Sequence, residues 1–154
     1  MPSNFLHIGM ILTAFPEAKI LHCVRDARAI CWSNFRNYYS QNSIPWSYDL
    51  DDVVTYYGLY SNLMSFWKNI FGEKIYDVNY EALVTEPDGE IKKIISHIGL
   101  PWEETCLSPH KNNRIVGTAS SNQVKNKIYQ GSSEIWKNYL SHLERSFDVL
   151  PETV

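Results

Sequence analysis

The sequence predicts an α/β layer fold with parallel strands. A short continuous apolar run at 19–24 and a second strand-length segment at 75–80 each lie between stretches whose apolar residues recur at helical spacing. The chain has 154 residues, so one domain is the expectation and a core of useful size is feasible.

The elements follow in order. Residues 4–15 read as a helix with Phe5, Ile8, Ile11 or Leu12, and Phe15 on one face, stopped by Pro16. Lys19–Val24 has the unbroken apolar character of a strand buried on both faces. Asp26 then caps a helix from Ala27 to about Tyr39, with Ala27, Cys31, Phe35 and Tyr38 at helical spacing. A polar loop with Pro45 fills 40–48. A long helix is predicted over 50–71, where residues from Leu50 to Ile70 form a wide apolar stripe. Asp49, Asp51 and Asp52 crowd its positive end and Gly72 closes it.

Ile75–Tyr80 alternates apolar and polar residues as a second strand. Pro87 opens the next helix, Ile91, Ile94, Ile95 and Ile98 make its inner face, and Gly99 ends it before Pro101. A short helical turn follows Pro101. Residues 111–130 carry Lys111, Arg114, Lys125 and Lys127 without an acidic residue and read as an irregular cationic loop. Ser133–Leu143 returns to a helix bearing Ile135, Trp136, Tyr139 and Leu143, and the tail frays after Leu150.

Composition narrows the function. The chain is 44% hydrophobic and 14% aromatic, which argues against disorder. A net charge of −3 argues against nucleic acid as a partner, because a phosphate backbone demands clustered positive charge. Cys23, Cys31 and Cys106 show no metal spacing and read as reduced thiols, and the five histidines are scattered, so no metal is expected. No stretch has the length of a membrane span and no secretory pattern opens the chain, which gives a cytoplasmic expectation.

Arg25 stands at the end of the first strand, and Ser33 lies eight residues further on the following helix. Ligands of α/β sheets bind at the carboxyl ends of strands. A guanidinium offers a charge-assisted fork to phosphate oxygens and a hydroxyl adds a neutral donor. Eight helical residues span roughly 12 Å, so Arg25 must lie back along the helix, past the small Ala29, to share a ligand with Ser33. Taken alone, an Arg25–Asp26 surface pair and a helix-packing serine explain the two residues more simply.

Their surroundings supply a pattern. Met-Pro-x-Asn-Phe at 1–5, Phe-Pro-x-Ala-Lys-Ile at 15–20, Arg-Asp-x-Arg-Ala at 25–29 and Leu-Val-x-x-Pro at 83–87 occur in one order. Gly-Leu-Pro-Trp at 99–102, Thr-Ala-Ser-Ser-x-Gln-Val at 118–124 and Ile-Trp-Lys-x-Tyr at 135–139 follow. Together they resemble the later two-thirds of sulfotransferases that use the activated sulfate donor PAPS, of the tetratricopeptide-associated and tyrosylprotein types.

The resemblance implies a P-loop NTPase-like sulfotransferase fold, three-layered with parallel strands. It is expected to be incomplete, without the N-terminal strand and the phosphosulfate loop of Pro-x-Ser-Gly-Thr-Thr kind. Residues 1–154 would then form a single partial domain holding the 3′-phosphate and adenosine side. In that fold a further strand lies between the two strands present here, so a gap or imperfect re-pairing is expected, with edges open to another chain.

By position, the resemblance assigns Arg25 and Ser33 to the 3′-phosphate and Tyr80 to the adenine. Ser120, Ser121, Asn122, Gln123 and Val124 match the segment that closes over the nucleotide, to which Lys125 or Lys127 would add charge. Alone, Tyr80 also reads as an ordinary half-buried tyrosine and 120–127 as a solvated basic loop. Two positions depart from the pattern. Asn37 stands where tyrosylprotein types carry an arginine, and Ile135 replaces a basic residue for which Lys137 is the available substitute.

The implied reaction moves a sulfuryl group from PAPS to an acceptor hydroxyl on a tyrosine, sugar or small molecule, leaving adenosine 3′,5′-bisphosphate. The alternative is an inactive nucleotide-binding or subunit-docking remnant, whose partner is another copy or the missing N-terminal segment. A nucleotide kinase is disfavoured, because the chain has neither a Walker lysine nor acidic metal ligands. Aromatic residues at 40–60, among them Trp46, Tyr56 and Tyr57, are a candidate acceptor wall.

Overall fold

A computed structural model describes residues 3–39, 44–111 and 128–151. The chain opens with a 3-10 turn at Asn4–His7 that runs into helix α1 (Ile8–Ala14). Strand β1 (Ile20–Val24) leads to α2 (Ala27–Arg36), and a 3-10 turn at Pro45–Tyr48 leads to α3 (Leu50–Phe71). Strand β2 (Ile75–Asn79) is followed at once by α4 (Tyr80–Thr85) and α5 (Pro87–Ile98). A 3-10 segment at Ser132–Tyr139 continues into α6 (Leu140–Phe147).

The caps explain the boundaries. Asp26 accepts a hydrogen bond from the Ala29 amide at 2.6 Å and starts α2. Asp49 accepts from the amides of Asp51 and Asp52 and starts α3. Asn79 accepts from the Ala82 amide, ending β2 and opening α4 in one residue. Gly99 takes the left-handed conformation, φ 74°, in which its amide bonds back to α5. Gly72 closes α3 after Phe71 as expected, in a right-handed conformation that leads into a 3-10 turn.

The strands pair directly and in parallel, from Ile20 opposite Ile75 to Val24 opposite Asn79. The expected gap between them is absent: the two strands meet without a break in register.

Alternation of side chains then sorts the two faces of the sheet. Ile20, His22, Ile75 and Asp77 face α1 and α3, where Ile8, Leu12, Met64 and Ile75 form one buried cluster. On the other face α5 packs on β2, with the His97 ring 5.2 Å from that of Tyr76. That cover stops short of β1, so Leu21 and Cys23 are exposed. The expectation of a strand buried on both faces is therefore corrected.

A second buried cluster joins α2, α3 and α6 through Cys31, Val53, Leu143 and Phe147, and α3 is the element the two cores share. Other inner-face assignments change as well. Phe15 is 68% exposed because α1 ends at Ala14, and Tyr38 is 83% exposed because α2 ends at Arg36. Ile70 is exposed near the far end of α3. The predicted late helix begins as 3-10 and becomes α-helical only at Leu140.

Candidate functional site

The strand register builds the site. Since Val24 pairs with Asn79, the next residues, Arg25 and Tyr80, leave the sheet side by side. The guanidinium carbon of Arg25 stands 4.7 Å from the centre of the Tyr80 ring, a cation–π contact. Arg25 and Tyr80, both assigned to the nucleotide, are thus brought together.

Two serines from the far end of the chain complete the cluster. Arg25 Nε donates to Ser133 Oγ at 2.9 Å, and Nη2 donates to Ser132 Oγ at 3.2 Å. The hydroxyls of Tyr80 and Ser132 lie 2.7 Å apart. Ser133 in turn donates to Glu81 Oε1 at 2.6 Å, and the same oxygen accepts from the Asp26 amide at 3.2 Å. Gly131, at φ 92°, makes the left-handed turn that precedes the two serines. Strand ends, helix starts and the late 3-10 segment are therefore tied through hydroxyl and carboxylate oxygens.

Beside this cluster is a cavity of about 620 Å³ lined by Asp26, Tyr80, Glu81, Ser133, Trp136 and Lys137, among others. Its size falls within the range of ligand pockets. Lys137 is paired with Glu134 at 2.5 Å on the exposed rim. Arg28 lies over the Trp136 ring at 5.7 Å, and Trp136 Nε1 is buried with no hydrogen-bond partner among the described residues. Asp26, Glu81 and Glu134 also line the cavity, so its described walls carry more acidic than basic side chains.

Ser33 is not among the residues lining this cavity. It is half-buried on α2, and among the described residues the Arg25 hydrogen bonds go to Ser132 and Ser133. Ser120, Ser121, Asn122, Gln123, Val124, Lys125 and Lys127 lie outside the described residues. No motif in the sequence points to Ser132, Ser133 or Glu81 as partners of Arg25. The two serines have one local signal, a hydroxyl pair directly after a glycine, Gly131-Ser-Ser. No group of three or more His, Cys, Asp or Glu side chains suited to a metal occurs among the described residues.

The model of the sulfotransferase family matches residues 1–104, which include Arg25, Tyr80 and Glu81. The chain belongs to the sulfotransferase family. An uncharacterised protein of Aquifex aeolicus is 31% identical over 154 residues, covering 99% of this chain and 20% of its own length. An omega-hydroxy-beta-dihydromenaquinone-9 sulfotransferase of Mycobacterium tuberculosis is 30% identical over 106 residues, covering 64% of this chain and 27% of its own length. A putative protein-tyrosine sulfotransferase of Caenorhabditis elegans is 26% identical over 164 residues, covering 97% of this chain and 60% of its own length. The chain thus spans less than two-thirds of each of these relatives. No described helix is long and apolar enough to cross a membrane.

Proposed function

We propose that this chain forms the 3′-phosphate and adenosine side of a PAPS-dependent sulfotransferase site, serving transfer of a sulfuryl group to an acceptor hydroxyl. The observation that carries the reading is Arg25, held at the carboxyl end of a parallel strand against Tyr80 and two serine hydroxyls. A guanidinium has five N–H donors, and the serines take two of them. A phosphate competing for Arg25 gains charge-assisted hydrogen bonds, and Ser132, whose oxygen can accept from the Tyr80 hydroxyl, can turn its own proton to it, while Ser133 stays bonded to Glu81. Tyr80 offers a ring to a purine, and the buried Trp136 N–H is a donor in need of an acceptor.

The acidic walls set a condition on this reading. A dianion beside Glu81 and Glu134 requires added positive charge, which we assign to Lys125 or Lys127, with Lys137 on the rim. Sulfuryl transfer, like phosphoryl transfer, depends on positioning and on neutralising charge at the bridging and equatorial oxygens. The residues of this chain contribute the anchoring of the donor. In this reading the P-loop-like layer fold is partial within residues 1–154, and the chain acts in the cytoplasm.

Calorimetry with adenosine 3′,5′-bisphosphate tests the proposal. Saturable binding that weakens roughly 10-fold or more in Arg25→Ala is expected, since one charge-assisted hydrogen bond contributes about 1.5–3 kcal/mol. Binding that is absent, or indifferent to Arg25→Ala, overturns it. Direct closure of β1 on β2 favours a second reading, a nucleotide-binding or subunit-docking remnant. Tight nucleotide binding without turnover of PAPS in the presence of phenol and sugar acceptors would select it.

A further inference from the structure

A second cavity, of about 590 Å³, lies along β1 between α1, α2 and α3. Its lining is mainly apolar and aromatic, with Phe5, Ile8, Trp46, Tyr56 and Met64 among its walls. Trp46 stacks on Tyr56 at 4.0 Å and 11°, and Phe5 meets Tyr56 and Tyr60 edge-on at 6.0 and 5.1 Å. His22 and Tyr60 line the same space. None of these residues takes part in the cluster around Arg25.

His22 and Tyr60 belong to a directed hydrogen-bond chain. His22 Nδ1 is 2.8 Å from Asp77 Oδ1, His22 Nε2 is bonded to the Tyr60 hydroxyl, and Asp77 Oδ2 receives Lys68 Nζ. An ionised carboxylate only accepts, so Nδ1 carries the ring proton of the neutral imidazole. Nε2 then presents a lone pair, and Tyr60 donates to it. The chain runs from the cavity wall towards water, for the His22 side chain is 12% exposed and that of Asp77 is 42% exposed. The groups facing it are Tyr57 and Lys68 from α3 and Asp77 from β2, while Cys23, on the other face of β1, acts only electrostatically and from a distance. Burial raises the Tyr60 phenol above its ordinary range, so Tyr60 remains a hydroxyl able to relay a proton.

We propose that this cavity binds a phenol and draws on its proton through Tyr60 and His22. The phenol ring lies among Phe5, Trp46 and Tyr56, and its hydroxyl donates to Tyr60 Oη. As the phenol O–H bond breaks, Tyr60 gains that proton and passes its own to His22 Nε2. The imidazolium formed is paired with Asp77, and the ligand oxygen is left as phenolate. A phenol suits an imidazole acceptor because their ordinary pKa values, about 10 and 6.5, are close enough for the ion pair to offset the difference. An alkyl alcohol is a far weaker acid. The assignment rests on the proposed sulfuryl transfer only in naming the acceptor class; the binding and the proton movement stand without it.

The test uses p-nitrophenol, whose phenolate absorbs in the visible. Saturable binding is expected at a fixed pH where the free dye is mostly neutral, with the bound dye about threefold or more richer in phenolate. Tyr60→Phe, which removes the acceptor of the dye hydroxyl, should weaken binding and lose that enrichment, whereas His22→Gln, which leaves Tyr60 in place, should lose the enrichment while still binding the dye saturably, both variants being checked for folding by circular dichroism. No saturable binding in folded protein overturns the proposal, as does enrichment that survives both substitutions. Displacement by N-acetyltyrosinamide supports a tyrosine side chain as the occupant. Displacement by p-cresol alone supports a small phenol, and resistance to both overturns the site. Adenosine 3′,5′-bisphosphate binding, measured on the same samples, separates the two readings. Nucleotide binding without dye binding defeats this inference alone, and dye binding without nucleotide binding defeats the nucleotide reading alone.

Discussion

Arg25 stacks on Tyr80 because Val24 pairs with Asn79: the contact is the strand register carried one residue past the sheet. The same two side chains also share Ser132, whose Oγ is 3.2 Å from Arg25 Nη2 and 2.7 Å from the Tyr80 hydroxyl. Two separable contributions follow. Tyr80→Phe keeps the ring and removes one hydrogen bond, for an expected loss of about 1 kcal/mol. Tyr80→Leu also removes the cation–π contact and should cost roughly 0.5–1 kcal/mol more. Urea unfolding of the three proteins measures this, and equal losses in both variants would contradict it.

Gly9 is required by the close approach of α1 to Trp67. A Cβ on residue 9 would lie 2.6 Å from Trp67 Cη2, and the indole is pinned by its 2.9 Å hydrogen bond to the Phe5 carbonyl. Gly9→Ala is expected to destabilise by about 1–3 kcal/mol, the usual cost of overpacking. Trp67→Phe introduced with it should recover part of that loss in thermal unfolding, while two simply additive losses would refute the clash.

Acid should weaken the protein partly through Asp77. Burial acts to raise this carboxyl, but the hydrogen bonds and charges of Lys68 and His22 outweigh it and hold the group below its ordinary value. A carboxyl whose folded value is depressed adds stability above the unfolded value of about 4, and that contribution disappears as pH falls through the folded value. Asp77→Asn is therefore expected to flatten the acid limb of stability below about pH 4. Urea midpoints at neutral and acid pH compare the two proteins, and an unchanged limb would speak against the assignment.

The three free cysteines should differ in reactivity. Cys31 is fully buried, and burial, aided by Asp26, pushes its thiol up to about 12. Cys23 is exposed on the uncovered face of β1. Alkylation of the native protein should label Cys23 well before Cys31, with Cys31 reacting only on unfolding. Mass spectrometry of time points reads the order directly.

Local signals account for what was legible. Asp26, Asp49 and Gly99 mark helix ends by chemistry that acts within four residues, and α2, α3 and α5 begin or end where those residues stand. The exposed face of β1 was not legible, because Ile-Leu-His-Cys-Val is apolar on both sides whether or not a helix covers it. That cover is decided by α5, which packs on the neighbouring strand. At the site, Arg25 and Tyr80 could be read as strand-end residues. Ser133 lies 108 residues from Arg25, and no local pattern ties a serine to a partner at that distance. Among the described residues, the hydroxyls that reach the guanidinium belong to Ser132 and Ser133.

Parallel pairing over so wide a separation also dictates an order of assembly. His22 and Asp77 are opposite each other in the sheet yet 55 residues apart in sequence. A large loop must close before the first ladder bond forms, and its entropy is lost before the sheet repays any of it. Helix α3, 22 residues long and capped by its own Asp49, can gain structure earlier and shorten the distance still to be searched. Refolding should therefore be governed by how readily α3 nucleates, and a helix-weakening change on its exposed side, such as Ser65→Gly, should slow folding more than it speeds unfolding.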